Sequence, residues 1–193
     1  MRKNERTEAK RVILEIVQQS GGKFAGTTKL YKAFYFAHLY YADMAPDYLT
    51  NWPIVRMPHG PGIDSGADLL NELVDGGHLR REVVPTGPYE ASCYHRGEKP
   101  FPGEALSAAA VAAIKKAAEF VAPYGAAELS NLTHEFSRSF LQASDGQRMN
   151  YPIDLIPEEE FETRRQTLEA LRYRLAALRR KEDRSREPTP SPV

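Results

Sequence analysis

The chain has 193 residues, with 26 basic and 26 acidic side chains that cancel. That length suits one domain with an appendage, and the balanced charge gives no global field to draw the protein onto nucleic acid or an anionic membrane. One cysteine, Cys93, excludes an internal disulfide and is what a reducing cytosol leads one to expect, so a cytoplasmic protein is predicted.

The opening run MRKNERTEAKR is charged and passes straight into an amphipathic pattern, so it does not read as a signal peptide. Ala9, Val12, Ile13, Ile16 and Val17 recur at helical spacing, and Gly21-Gly22 supply a stop. A second helix is predicted to about Met44, capped by Thr27 or Thr28. It carries Tyr31, Phe34, Tyr35, His38 and Leu39 on one stripe and has no charge between Lys32 and Asp43. A helix of that kind is expected to be buried on most sides and to centre the fold. Its AFYFAHLYYA, the longest nearly apolar stretch, is about half a membrane span.

Residues 45–62 are predicted to be irregular or extended, because Pro46, Pro53, Pro58 and Pro61 block a helix. Within them, Pro61-Gly62 suits a tight turn, a structural corner that also shapes a surface. A third helix starts near Asp64 or Ser65 with Leu69, Leu70, Leu73 and Val74 inward, and ends at Gly76-Gly77. HLRREVV and YEASCYHR flank PTG and predict a β-hairpin at about 79–96. Ser107 caps a fourth, alanine-rich helix with Val111, Ile114, Ala118 and Val121 on its stripe. A short fifth helix runs from about Ala126 to Phe136, and SDGQRMNYPIDLIP reads as a loop.

A last helix is predicted over 158–183, acidic at its start and basic near its end as the helix dipole favours. Leu168, Leu171, Leu175 and Leu178 form a short coiled-coil-like seam on it, a candidate partner or homodimer contact. The tail over 184–193 lacks the means to pack. Together these elements predict a mostly helical α+β protein. Residues 1–157 form a compact domain of about five helices and one small hairpin, and the C-terminal helix and the tail follow.

Little here assembles into chemistry. Cys93 and His95 share a face of the hairpin, but His38, His59, His78 and His134 offer no second close pair, so no metal is expected. Ser130 and His134 lie four apart on helix five without a G-x-S-x-G elbow, and a serine within a helix is poorly exposed for attack. Hydrogen-bonded structural roles are expected for both, and a core position for His38. No phosphate-binding glycine loop is present, and no cofactor is implied. A small hydrolase or transferase using Lys29, His38, Ser130 and His134 requires the fold to gather those four. A DNA-binding reading, as an autoregulator of its own operon, meets a third helix bearing Asp64, Asp68, Glu72 and Asp75 and no lysine or arginine. Nucleic-acid binding is therefore not expected of the isolated chain.

Three stretches taken together are more specific. TKLYKAFYFAHLYY, WPIVRMPHGPGIDSGADLLNELVDGGHL and LSAAAVAAIKKAAEFVAPYGAAELSNLTHEF resemble the Panacea, or SocA-like, antitoxin domain, a family also met in phage-associated proteins. The lysine-leucine pair and aromatic helix of that family are matched by Lys29, Leu30, Lys32, Tyr35, Phe36, Ala37 and His38. Its tryptophan and glycine-proline turn are matched by Trp52, Gly60 and Pro61. Its late leucine-serine and threonine-histidine segment is matched by Glu128, Leu129, Ser130, Asn131, Leu132, Thr133, His134 and Glu135. His59 and Gly62 depart from the family's aromatic and valine, and Phe140 stands where a tryptophan often follows. The resemblance implies a helical domain without enzymatic activity that binds and neutralises a cognate toxin encoded nearby. Neutralisation would proceed by direct contact or by delivery to a cellular protease. The contact surface would lie around the start of helix two, the glycine-proline turn and the hairpin.

Overall fold

A computed structural model describes residues 2–45, 47–86, 89–160, 162–163, 166–167, 169–171 and 173. The chain divides into two compact units, Met1–Leu155 and Ile156–Val193. The first is a mostly helical α+β structure with small antiparallel sheets.

Helix α1 (Arg2–Gln19) buries the stripe Ala9, Val12, Ile13, Ile16 and Val17. Gly21 and Gly22 then take left-handed φ of 76° and 79°, and the Gly22 amide closes the helix end on Val17 O. A strand that three residues could not announce follows: β1 (Lys23–Ala25), with only Phe24 facing inward. Helix α2 (Thr27–Met44) is not capped by a threonine. Gly26, at φ 90°, holds the cap position without a side chain, and Thr27 Oγ1 instead pairs with Tyr94 Oη at 2.8 Å. The threonine is recruited because β1 brings Tyr94 of the long hairpin over the helix start.

Helix α2 is the central element and packs against α1, α4 (Ala108–Val121), α5 (Ala126–Phe136) and the sheets. Its closest partner is α4, whose inward face is Ala110, Ala113, Ile114, Ala117, Ala118 and Val121. The alanines on that face let two helix backbones approach, and Phe36 and Tyr40 of α2 meet the Phe120 ring of α4 edge-on. Ser107 caps α4, accepting from the Ala110 amide at 3.2 Å.

Residues 45–62 depart most from the sequence reading. They contain a tight hairpin, β2 (Ile54–Met57) and β3 (Gly60–Ile63), with its turn at Pro58-His59. Pro61 and Gly62 are therefore strand residues facing Arg56 and Val55, not the turn. A proline can sit in β3 because this sheet has only two strands, so its missing N–H costs the ladder little. Helix α3 (Gly66–Asp75) buries Leu69, Leu70 and Leu73. Strands β4 (Leu79–Thr86) and β5 (Tyr89–Arg96) form the expected hairpin, with β1 on the far side of β5.

The stretch after α5 is also more ordered than a loop. Helix α6 (Arg138–Gln142) starts at Ser137, Arg148 forms an isolated bridge with Val55, and Tyr151–Leu155 make a 3-10 turn. In the second unit, the described residues from 158 to 173 are helical and Leu171 is 47% exposed. Leu168, Leu175 and Leu178, and the tail over 184–193, lie outside the described residues.

Candidate functional site

The most unusual residue of the fold is Lys32, a lysine only 1% exposed in the middle of α2. Its amine donates to His59 O and, at 3.2 Å, to Pro61 O. No carboxylate pairs with it among the described residues. Burial without a counter-charge favours the neutral amine and pulls its pKa down to about 7. The charge is thus cheap to lose near neutrality, and the group works as a hydrogen-bond donor that ties β3 to α2.

Gly60 is what lets the hairpin come that close. It sits at φ 97°, and a Cβ there would meet Lys32 Nζ and lie 2.5 Å from Thr133 Oγ1. Thr133, buried on α5, gives its hydroxyl to Leu129 O and Ser130 O of its own helix. Three segments far apart in sequence therefore meet within one van der Waals shell: Lys32 from α2, Gly60 and Pro61 from β3, and Thr133 from α5.

Around this point lies a basic cluster that the sequence did not reveal. Arg56 of β2 donates to Phe140 O at 2.9 Å and Ala143 O at 3.0 Å, pairs with Asp145 at 3.0 Å, and rests 4.3 Å from the Phe140 ring centre. His134 stacks on the same ring at 4.5 Å with planes 9° apart. Desolvation, then the charges of Lys32, Arg56 and His59, push the His134 pKa down and so favour its neutral imidazole. Its Nε2 is buried without a hydrogen-bond partner among the described residues. His59 is exposed at the hairpin tip, whereas Gly60 and Pro61 are buried.

A second polar knot ties the end of the domain to α2. Asp154 accepts from Tyr35 Oη at 2.6 Å, Ser137 Oγ at 3.0 Å, and the amide and hydroxyl of Ser139 at 2.8 and 2.5 Å. Burial above all, with the adjacent Asp154 charge, raises the Tyr35 pKa and keeps its phenol a donor. Beside it, Tyr35, Phe36, Leu39, Leu132, Thr133, Phe136, Ser137 and Asp154 line a shallow, largely apolar cleft. Phe136 stands on its rim, 69% exposed.

The remaining candidate residues are dispersed. Lys29 reaches Ala122 O at 2.7 Å, at the end of α4. His38 is fully buried between Phe34 O and Thr50 Oγ1, and desolvation lowers its pKa to about 4. Ser130 Oγ donates to Ala126 O on its own helix. Among the described residues none of Lys29, His38, Ser130 and His134 hydrogen-bonds another. Trp52 is a strut, its indole N–H on Asp64 O at 2.8 Å and its face under Arg6. Leu30 and Leu129 are core, and Phe36 packs edge-on against Phe120. Cys93 is buried while His95 pairs with Glu82, and no group of three potential metal ligands occurs among the described residues. On α3, Glu72 is held by Arg6 and Lys10, which depresses its carboxyl to about 2.

Comparison with protein-family models, with curated proteins and with solved structures gives no match to this chain. Among the described residues no helix is long and apolar enough to cross a membrane.

Proposed function

We propose that this chain is an antitoxin-like binding module that neutralises a toxin encoded nearby through direct protein contact. The observation that carries the reading is where the residues of the three resemblance segments lie. Lys32 ties α2 to the β2–β3 hairpin through His59 O and Pro61 O, Gly60 lets Thr133 of α5 come close, Trp52 bonds Asp64 O, and the Ser130 and Thr133 hydroxyls are spent on carbonyls of α5 itself. They meet as a scaffold and are engaged in structural hydrogen bonds, the arrangement expected of a domain that presents a surface and not of one that converges on a reacting atom.

Gly60 and Pro61 are buried, so the contact surface belongs beside them. The apolar cleft rimmed by Phe136 on α5, with Leu132 and Leu39, offers desolvatable area, and Thr133 in its lining abuts Gly60. An aromatic side chain mostly in water and bordering an apolar cleft is the kind of anchor that protein interfaces use.

The test is co-expression with the neighbouring reading frame, scoring growth. Rescue of a growth arrest by the native chain and its loss in Phe136→Asp support the reading. A harmless neighbour in several hosts overturns it.

A further inference from the structure

We propose that the C-terminal helix pairs antiparallel with the same helix of a second copy, so that the leucine seam makes the protein a weak homodimer. None of the residues involved lines the cleft of α5, and the inference stands whether or not the chain binds a toxin.

The described residues between 158 and 173 are helical, and those from 163 onward are exposed. Helices owe most of their stability to an apolar face packed on another element, yet here Leu171 of that face is 47% exposed. Leu168, Leu171, Leu175 and Leu178 follow at steps of three, four and three, the alternation of core positions in a coiled coil. Phe161 lies one heptad before Leu168 and extends the series. On this spacing Tyr173 belongs to the outward face, in agreement with its exposure of 79%.

Charge decides what the seam meets. The helix predicted over 158–183 opens with Glu158, Glu159, Glu160 and Glu162 and carries Arg179, Arg180 and Lys181 beside its last leucine. A parallel pair sets acids against acids and bases against bases. An antiparallel pair of identical chains sets each acidic start against the basic end of the other, and two-fold symmetry does so twice. The same alignment brings Leu168 opposite Leu171 and Phe161 opposite Leu178, with Glu182 and Asp183 beyond the overlap. Arg164 falls opposite Leu175, where its stem can lie along the leucine with its head in water. Arg165 meets Arg172, a like-charged contact that, with Arg164 and the shortness of the seam, makes the dimer weak.

Sedimentation equilibrium of the full chain between about 10 and 500 µM is the test. A reversible monomer–dimer equilibrium is expected, weakened roughly tenfold or more when Leu171→Glu and Leu175→Glu are combined. Two charge-reversed chains then read the orientation. One carries Glu158→Lys, Glu159→Lys and Glu160→Lys, and the other Arg179→Glu, Arg180→Glu and Lys181→Glu. Each alone should associate far less than the native chain, because its start now repels the end it would lie against. An equimolar mixture of the two should recover the dimer, which also shows that the reversed helices still form. A parallel pair would leave each reversed chain as associated as the native one. The proposal is overturned by a native chain that stays monomeric over the range, by a dimer that survives the two seam glutamates, by reversed chains that associate like the native one, or by a mixture that fails to recover.

Discussion

The amine of Lys32 should make this protein more stable as the solution turns mildly alkaline. In the folded state its pKa lies near 7, against 10.5 for an unperturbed lysine. Between those values the unfolded chain holds a proton that the folded chain has released. Stability therefore rises with pH across the window, and the penalty for burying the amine is largest below pH 7. A full proton of difference gives about 1.4 kcal/mol per pH unit, and with the folded amine still partly protonated at pH 7.5 the gain from pH 7.5 to 9.5 is about 2.5 kcal/mol. The contribution is isolated by comparison with Lys32→Met, which keeps an unbranched chain as far as the ε position, lacks the amine and has no proton to release. That variant also deprives the His59 and Pro61 carbonyls of a donor, a cost of about 1–3 kcal/mol each that does not depend on pH. Urea unfolding at pH 7.5, 8.5 and 9.5 is the assay. The native chain should gain about 2.5 kcal/mol more than the variant over the series. Parallel pH dependence in the two proteins would refute the reasoning and mean that Lys32 stays protonated in the fold.

Gly60→Ala combines a left-handed φ with a Cβ driven against Lys32 and Thr133, and should cost about 2–4 kcal/mol in denaturant unfolding. Gly21→Ala has a similar φ but open space around it, and should cost only about 1 kcal/mol; equal losses would remove the close approach from the account. Asp154→Ala strands the Tyr35, Ser137 and Ser139 donors and should lose about 2–4 kcal/mol, whereas Tyr35→Phe removes one donor and should lose about 1 kcal/mol. His38 has a folded pKa near 4 against 6.5, so the unfolded chain takes up its proton first on acidification. Stability should fall by about 3 kcal/mol between pH 6.5 and 4, and the fall should be shallower in His38→Gln when followed by circular dichroism.

The helices were legible because each carries its own period and punctuation. The apolar stripe of α1, the glycines after it and the Ser107 cap are local signals that tertiary structure has no reason to override. What escaped was fixed from a distance. Strand β1 is three residues long and exists because β5 pairs with it, and the cap of α2 changed hands because Tyr94 competes for Thr27. PHGPG contains two turn signals in five residues, and only the fit of Gly60 against Lys32 decides that the chain reverses at Pro58-His59. The site divides in the same way. Lys32, Gly60 and Thr133 stand out as motif residues, but their meeting could not be read from spacing. Arg56, Asp154 and Tyr151 carry no local pattern at all, and their roles come from Phe140, Ser139 and the His38 ring, each supplied by another part of the chain.

The most direct measurement is a calorimetric titration of the purified product of the neighbouring reading frame with the native chain, Phe136→Asp and Val83→Asp. Val83, 55% exposed on β4, is an apolar surface residue that does not line the α5 cleft and serves as the control. Saturable binding by the native chain and Val83→Asp, with loss of at least tenfold in Phe136→Asp at unchanged melting temperature, is the predicted result. Absence of binding by the native chain, or equal binding by all three, would contradict the assignment of a toxin-binding surface to α5.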